Sequence, residues 1–129
     1  MCITQIHSGS GPEFSLYAVV SNNECSVEEF IRNLEEKDLK QVLTLFKRIV
    51  EIGLPHSEFK FRSIGEKIYE LKTRRGVRIL GFFPGPNLRK SLILTHGFYK
   101  SGNKILVRER DKAIEWRKEF FKSSDIKII

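Results

Sequence analysis

Cysteine is scarce: Cys2 and Cys25 are the only two in 129 residues, too few for a disulfide framework. Domains that rely on disulfides use more, so a reducing, cytoplasmic setting fits best. Long apolar runs are missing as well. No stretch of about 18 apolar residues could cross a bilayer, and no segment has the form of a signal peptide, so no membrane partner is expected. The three histidines, His7, His56 and His96, are scattered, and no Cys or His pair has metal-ligand spacing, which speaks against a zinc site. Neither a glycine-rich phosphate loop nor a nucleophile elbow is present, so no cofactor is expected. Glu70 stands alone as a carboxylate in its neighbourhood, which disfavours paired acid and base chemistry.

What is abundant is positive charge, and it is uneven. Residues 1–58 hold 5 basic and 9 acidic side chains, whereas residues 59–129 hold 18 basic and 7 acidic. The second half is where a polyanion or an acidic protein would dock.

The length suits one domain able to bury roughly two thirds of its unfolded surface. Residues 1–13, with Ser8, Gly9, Ser10, Gly11 and Pro12 in succession, read as a flexible leader. Residues 14–20 are rich in aromatic and β-branched types and read as a strand. Ser26 with Glu29, and Asp38 with Gln41, have capping-box spacing, each followed by apolar positions at helical intervals. Two helices joined by Glu35, Glu36 and Lys37 form an αα-hairpin, the second ending at Gly53 and Pro55. In the connector 56–66, Phe59 and Phe61 are expected to anchor while Lys60 and Arg62 alternate outward. Residues 67–104 read as three strands of an antiparallel meander, and 107–121 as a basic helix, followed by a tail over 124–129. The fold class is α+β, with a single domain over 14–123.

The meander carries the chemistry. A three-residue loop at Arg74, Arg75 and Gly76 places Lys72 opposite Arg78 and Glu70 opposite Leu80. Arg78 in mid-strand beside Lys72 is costly without an anion. Lys100 and Lys104 follow in the same stretch, with Tyr99 and His96 close in sequence. Fixed cations of this kind suit cleavage of a phosphodiester by the substrate's own 2′-hydroxyl, because the pentavalent phosphorane carries more negative charge than the ground state. No metal is required. Lysine, tyrosine or histidine can move the protons if neighbouring positive charge lowers their pKa values. Arg108 and Arg110 form a helix surface or an RNA-facing patch.

The ordered segments Tyr69-Glu70-Leu71-Lys72, Gly76-Val77-Arg78-Ile79-Leu80 and His96-Gly97-Phe98-Tyr99-Lys100, between two helices and a basic last helix, resemble the HigB-like, phage-derived branch of the RelE/ParE toxin superfamily. The resemblance runs from about Phe14 to Phe121. It implies a toxin of a type II toxin–antitoxin system whose helices pack on a twisted antiparallel sheet. It also implies metal-independent mRNA cleavage on the ribosome, as an mRNA interferase, and neutralisation by a helix-turn-helix antitoxin. Arg78 then matches the arginine placed at the scissile phosphate, with Lys72 and Lys100 at the flanking basic positions and Tyr99 and His96 as proton-transfer candidates. Arg74, Arg75, Lys104, Arg108 and Arg110 are the expected RNA contacts. Departures from the pattern are Ser101 in place of a second lysine, Ile105-Leu106 near a usual threonine-proline pair, and Gly81 at a usually aromatic position. Two alternatives stand beside this reading: a non-catalytic inhibitor of DNA gyrase, as other superfamily members are, and an inactive phage-encoded protein that only binds nucleic acid or an antitoxin.

Overall fold

A computed structural model describes residues 1–6 and 10–129; residues 7–9 of the expected leader lie outside the described residues. Seven strands form one sheet: β1 (Cys2–Ser10), β2 (Ser15–Val20), β3 (Phe61–Ser63), β4 (Tyr69–Lys72), β5 (Val77–Phe82), β6 (Ser91–Tyr99) and β7 (Lys127–Ile128). Three helices accompany them: α1 (Ser26–Arg32), α2 (Glu36–Ile52) and α3 (Asn103–Lys122). The strand order is β3-β4-β5-β6-β2-β1-β7.

The sheet is covered on both faces. Val27 of α1 and Val42, Phe46 and Ile49 of α2 pack with Leu16, Leu71, Val77, Ile79, Leu92 and Leu94. On the other face Ala113 and Phe120 of α3 pack with Ile3, Val19, Ile68, Leu80, Phe82 and Ile93. This explains why β5 and the first half of β6 read as nearly continuous apolar runs, since a strand buried on both sides needs no alternation. Every residue of β5 is buried, Arg78 included.

The first hairpin of the meander has the expected register. Thr73 N donates to Val77 O at 3.0 Å and Gly76 N to Thr73 O at 3.2 Å, with Gly76 at φ +103°, where a side chain would be strained. Lys72 accordingly pairs with Arg78, and Glu70 with Leu80. The long loop before β6 left the next register open; Arg78 pairs with Phe98 and Leu80 with His96.

Four expectations are corrected. The sheet is mixed, because β2 runs parallel to β6 and β1 parallel to β7. The leader contains β1: Ile3 and Ile6 enter opposite cores, so two apolar residues on different faces left no period to read. The tail contributes β7, whose exposed side chains carry no burial signal and whose order comes from the backbone bonds Lys127 N to Met1 O and Ile129 N to Ile3 O, both 2.9 Å. The capping boxes are not formed, since neither Cys25 nor Glu35, the actual N-caps, makes a side-chain cap bond. Asp38 lies inside α2, where it is buried and engaged in tertiary bonds.

Candidate nucleic-acid interface

The pairing of β3, β4 and β5 aligns Arg62 with Glu70 and Glu70 with Leu80, while Lys72 faces Arg78. Because side chains alternate along a strand, Arg62, Glu70, Lys72 and Arg78 share the face that α3 covers farther along at Leu80 and Phe82. Glu70 is 1% exposed and is held by Arg62, whose Nε donates to Oε1 at 2.9 Å. Arg78 Nε stands 3.8 Å from the other carboxylate oxygen. One buried carboxylate therefore lies between two guanidinium groups.

Arg78 is 8% exposed, and its Nη1 donates to the carbonyls of Thr73 and Val77, each at 3.2 Å. These bonds fix the plane of the guanidinium. Nε and Nη2 make no hydrogen bond with the described residues. Burial pushes the guanidinium below its usual range, with Glu70 opposing the shift and Arg62 adding to it; an arginine stays charged regardless. Lys72 reaches the carbonyl of Glu58 with Nζ at 3.4 Å. Its ammonium is pulled below the usual lysine range, first by desolvation and then by Arg62 and Arg78, with Lys100 acting in the same direction and Glu70 against it. The backbone of Lys100 bonds to Gly76 O at 2.7 Å, which seats it beside the hairpin turn. Lys72, Arg78 and Lys100 are thus brought together, with Arg62 as a fourth cation.

Tyr99 and His96 are not brought to that cluster. Tyr99 pairs with Val77 and so takes the opposite face, where its hydroxyl donates to Asp38 Oδ2 at 3.1 Å and its ring meets Phe30 edge-on. Desolvation and the Asp38 bond raise its pKa, so it holds its proton more tightly than a free tyrosine. His96 lies on the face of Arg78 but is bound on both ring nitrogens, by Thr95 Oγ1 at 3.0 Å and Glu109 at 2.7 Å. It fastens α3 to the sheet. Burial lowers its pKa despite Glu109.

The expected RNA contacts divide in the same way. Arg74, Lys104 and Arg108 are exposed. Arg75 is instead committed to α2, with Nε 2.8 Å from Asp38 Oδ1 and Nη2 3.5 Å from Glu35. Arg110 is turned inward: Nη1 donates to Ile64 O at 3.0 Å, and Nε is buried without a hydrogen-bond partner among the described residues. Gly81, at the usually aromatic position, accepts no side chain, because a Cβ there would stand 2.7 Å from Ile93 O.

Arg62 was not singled out in the sequence. Its signal was the Phe-Lys-Phe-Arg alternation at 59–62, which pairs Arg62 with Glu70 once it is read as an edge strand. Phe59, expected to anchor, is 86% exposed. Among the described residues no group of three or more His, Cys, Asp or Glu side chains is placed to hold a metal, and no helix is long and apolar enough to cross a membrane.

A search of curated proteins returns no match. Among solved structures, the isolated RelE toxin of E. coli aligns over 67% of this chain and 88% of its own, at 13% identity and a TM-score of 0.43. The family model for phage derived protein Gp49-like matches residues 29–118, a span that begins in α1, includes the whole basic face and ends in α3. With more than half its length inside that model, the chain belongs to the phage-derived Gp49-like family.

Proposed function

We propose that this protein is the toxin of a type II toxin–antitoxin pair, of the HigB-like kind within the RelE/ParE superfamily, and that it cleaves mRNA on the ribosome without a metal. The observation that carries this reading is the clustering of Lys72, Arg78 and Arg62 around the buried carboxylate of Glu70, with Lys100 close enough to act on Lys72. Such a cluster has a net positive charge that an anion can complete, and its two arginines are held in place before any ligand arrives.

In this reading Arg78 and Lys100 hold the scissile phosphate. The neutral amine of Lys72 takes the proton of the 2′-hydroxyl, whose oxygen attacks the adjacent phosphorus. The bond from phosphorus to the 5′ oxygen breaks, Lys100 protonates that oxygen, and a 2′,3′-cyclic phosphate remains. The depressed pKa of Lys72 supports its part, because it enlarges the neutral fraction at cellular pH. Arg74, Lys104 and Arg108 serve the flanking backbone. The partners are mRNA and the ribosome in the cytoplasm, and a helix-turn-helix antitoxin.

Expression of R78A is the test. It should abolish growth arrest and leave the protein folded and bound by its antitoxin; arrest equal to the wild type would reject the nuclease. The engagement of Arg78 with backbone carbonyls and of Tyr99 and His96 with Asp38 and Glu109 favours a second reading, a non-catalytic toxin that grips a protein such as gyrase. Mapping transcript ends after induction separates the two, since only the nuclease leaves new ends.

A further inference from the structure

We propose that segment 59–62, at the β3 edge of the sheet, is a nucleotide subsite beside the cation cluster, with Phe59 as the stacking platform for an RNA base and Arg62 as the fork for that nucleotide's phosphate. The subsite rests on the RNA reading given above and adds the residues that would seat one nucleotide.

Phe59 is the most exposed of the large apolar side chains, and its exposure is built in. Ser57 organises the turn: its hydroxyl accepts from Phe59 N at 3.2 Å and its carbonyl from Lys60 N and Phe61 N, both at 3.0 Å. The neighbouring aromatics are used differently. Phe61 stacks on Tyr69 at 5.4 Å and meets Phe83 edge-on at 6.3 Å, whereas Phe59 enters no ring pair among the described residues. Lys72 ties the turn to the cluster twice, through Nζ to Glu58 O at 3.4 Å and through its backbone N to Lys60 O at 2.8 Å. An unpaired aromatic face therefore sits at the rim of a set of cations.

Arg62 meets the other requirement. Its Nε is taken by the buried Glu70, which fixes the plane of the group, while its side chain remains 39% exposed and its other guanidinium nitrogens make no hydrogen bond with the described residues. A guanidinium so held can grip a phosphate through two parallel bonds. Single-stranded RNA presents the complement of this pair, a π-face on each base and a charge on each linkage.

Binding of a dye-labelled hexaribonucleotide carrying 2′-O-methyl groups, which cannot be cleaved, tests the subsite by fluorescence anisotropy. F59A should weaken binding about tenfold, the loss expected for one stacked base, and F59W should restore it. R62K keeps the charge and loses the fork, and should also bind more weakly. If R78A binds poorly while F59A and R62K match the wild type, the subsite is overturned, Phe59 is left for a protein partner, and the RNA reading survives. If the wild type does not bind, or R78A binds equally well, the subsite is overturned, and the mapping of transcript ends decides the RNA reading separately.

Discussion

Arg62 and Glu70 face each other across β3 and β4, the guanidinium Nε 2.9 Å from a carboxylate that is almost wholly buried. The same carboxylate stands 3.8 Å from Arg78. Glu70 is thus the one negative charge that lets two arginines and Lys72 occupy a single patch of sheet. Removing it leaves buried positive charge without compensation, which is far more damaging than the net worth of the pair. E70Q should lower stability by about 3 kcal/mol, measured as a fall in the urea midpoint at unchanged slope.

Lys72 gives a prediction in pH. Its folded-state pKa lies below the ordinary lysine value, with desolvation the main cause and Arg62 next. The unfolded chain then binds more protons than the folded one between those two values, so stability rises with pH across that window. Below it the charged ammonium is a constant burden. K72M, which keeps the packing and removes the charge, should be more stable than the wild type at neutral pH. The gain should shrink to nothing as the pH approaches the ordinary lysine value, in urea denaturation repeated across the series.

Tyr99 separates position in the chain from position in the fold. It precedes Lys100, yet its hydroxyl is spent on Asp38 at 3.1 Å on the far face of the sheet. Y99F should cost about 1 kcal/mol of stability, the usual loss for one such bond, and should leave growth arrest intact. A tyrosine acting at the phosphate would give the reverse, a stable protein without toxicity.

Gly97 is a packing requirement. A Cβ at this position would lie 2.3 Å from Phe30 Cδ2 and 2.6 Å from Cε2, so the ring of α1 rests directly on the β6 backbone. G97A must push Phe30 and its helix outward, at an expected loss of about 1–3 kcal/mol. Trimming the ring in G97A/F30L should recover part of that loss in thermal melts. If G97A alone melts like the wild type, Phe30 does not hold α1 in this way.

Local patterns in the chain proved legible where neighbours in sequence are also neighbours in space. The register of β4 and β5 followed from Gly76, because a three-residue loop allows one pairing in which Glu70 is kept away from Val77 and Ile79. The second helix was visible from its apolar stripe, though it begins at Glu36 rather than behind Asp38. The capping signal misled because Asp38 has a stronger use: it accepts from Arg75 at 2.8 Å and from Tyr99 at 3.1 Å, partners 37 and 61 residues away.

By itself the sequence determined the α+β class, the register of β4 on β5 and the face on which Lys72 and Arg78 meet, since each depends on a period or a turn spanning a few residues. Tertiary structure alone decided the rest: that β1 and β7 complete a mixed sheet, that α3 closes the second face, that Arg62 joins the cluster through Glu70, and that Tyr99, Arg75 and Arg110 are drawn away from it. These outcomes turn on which strand edge or carboxylate a residue meets after the chain has folded back. A charged side chain in a loop or on a helix has no local period that reveals such a partner in advance.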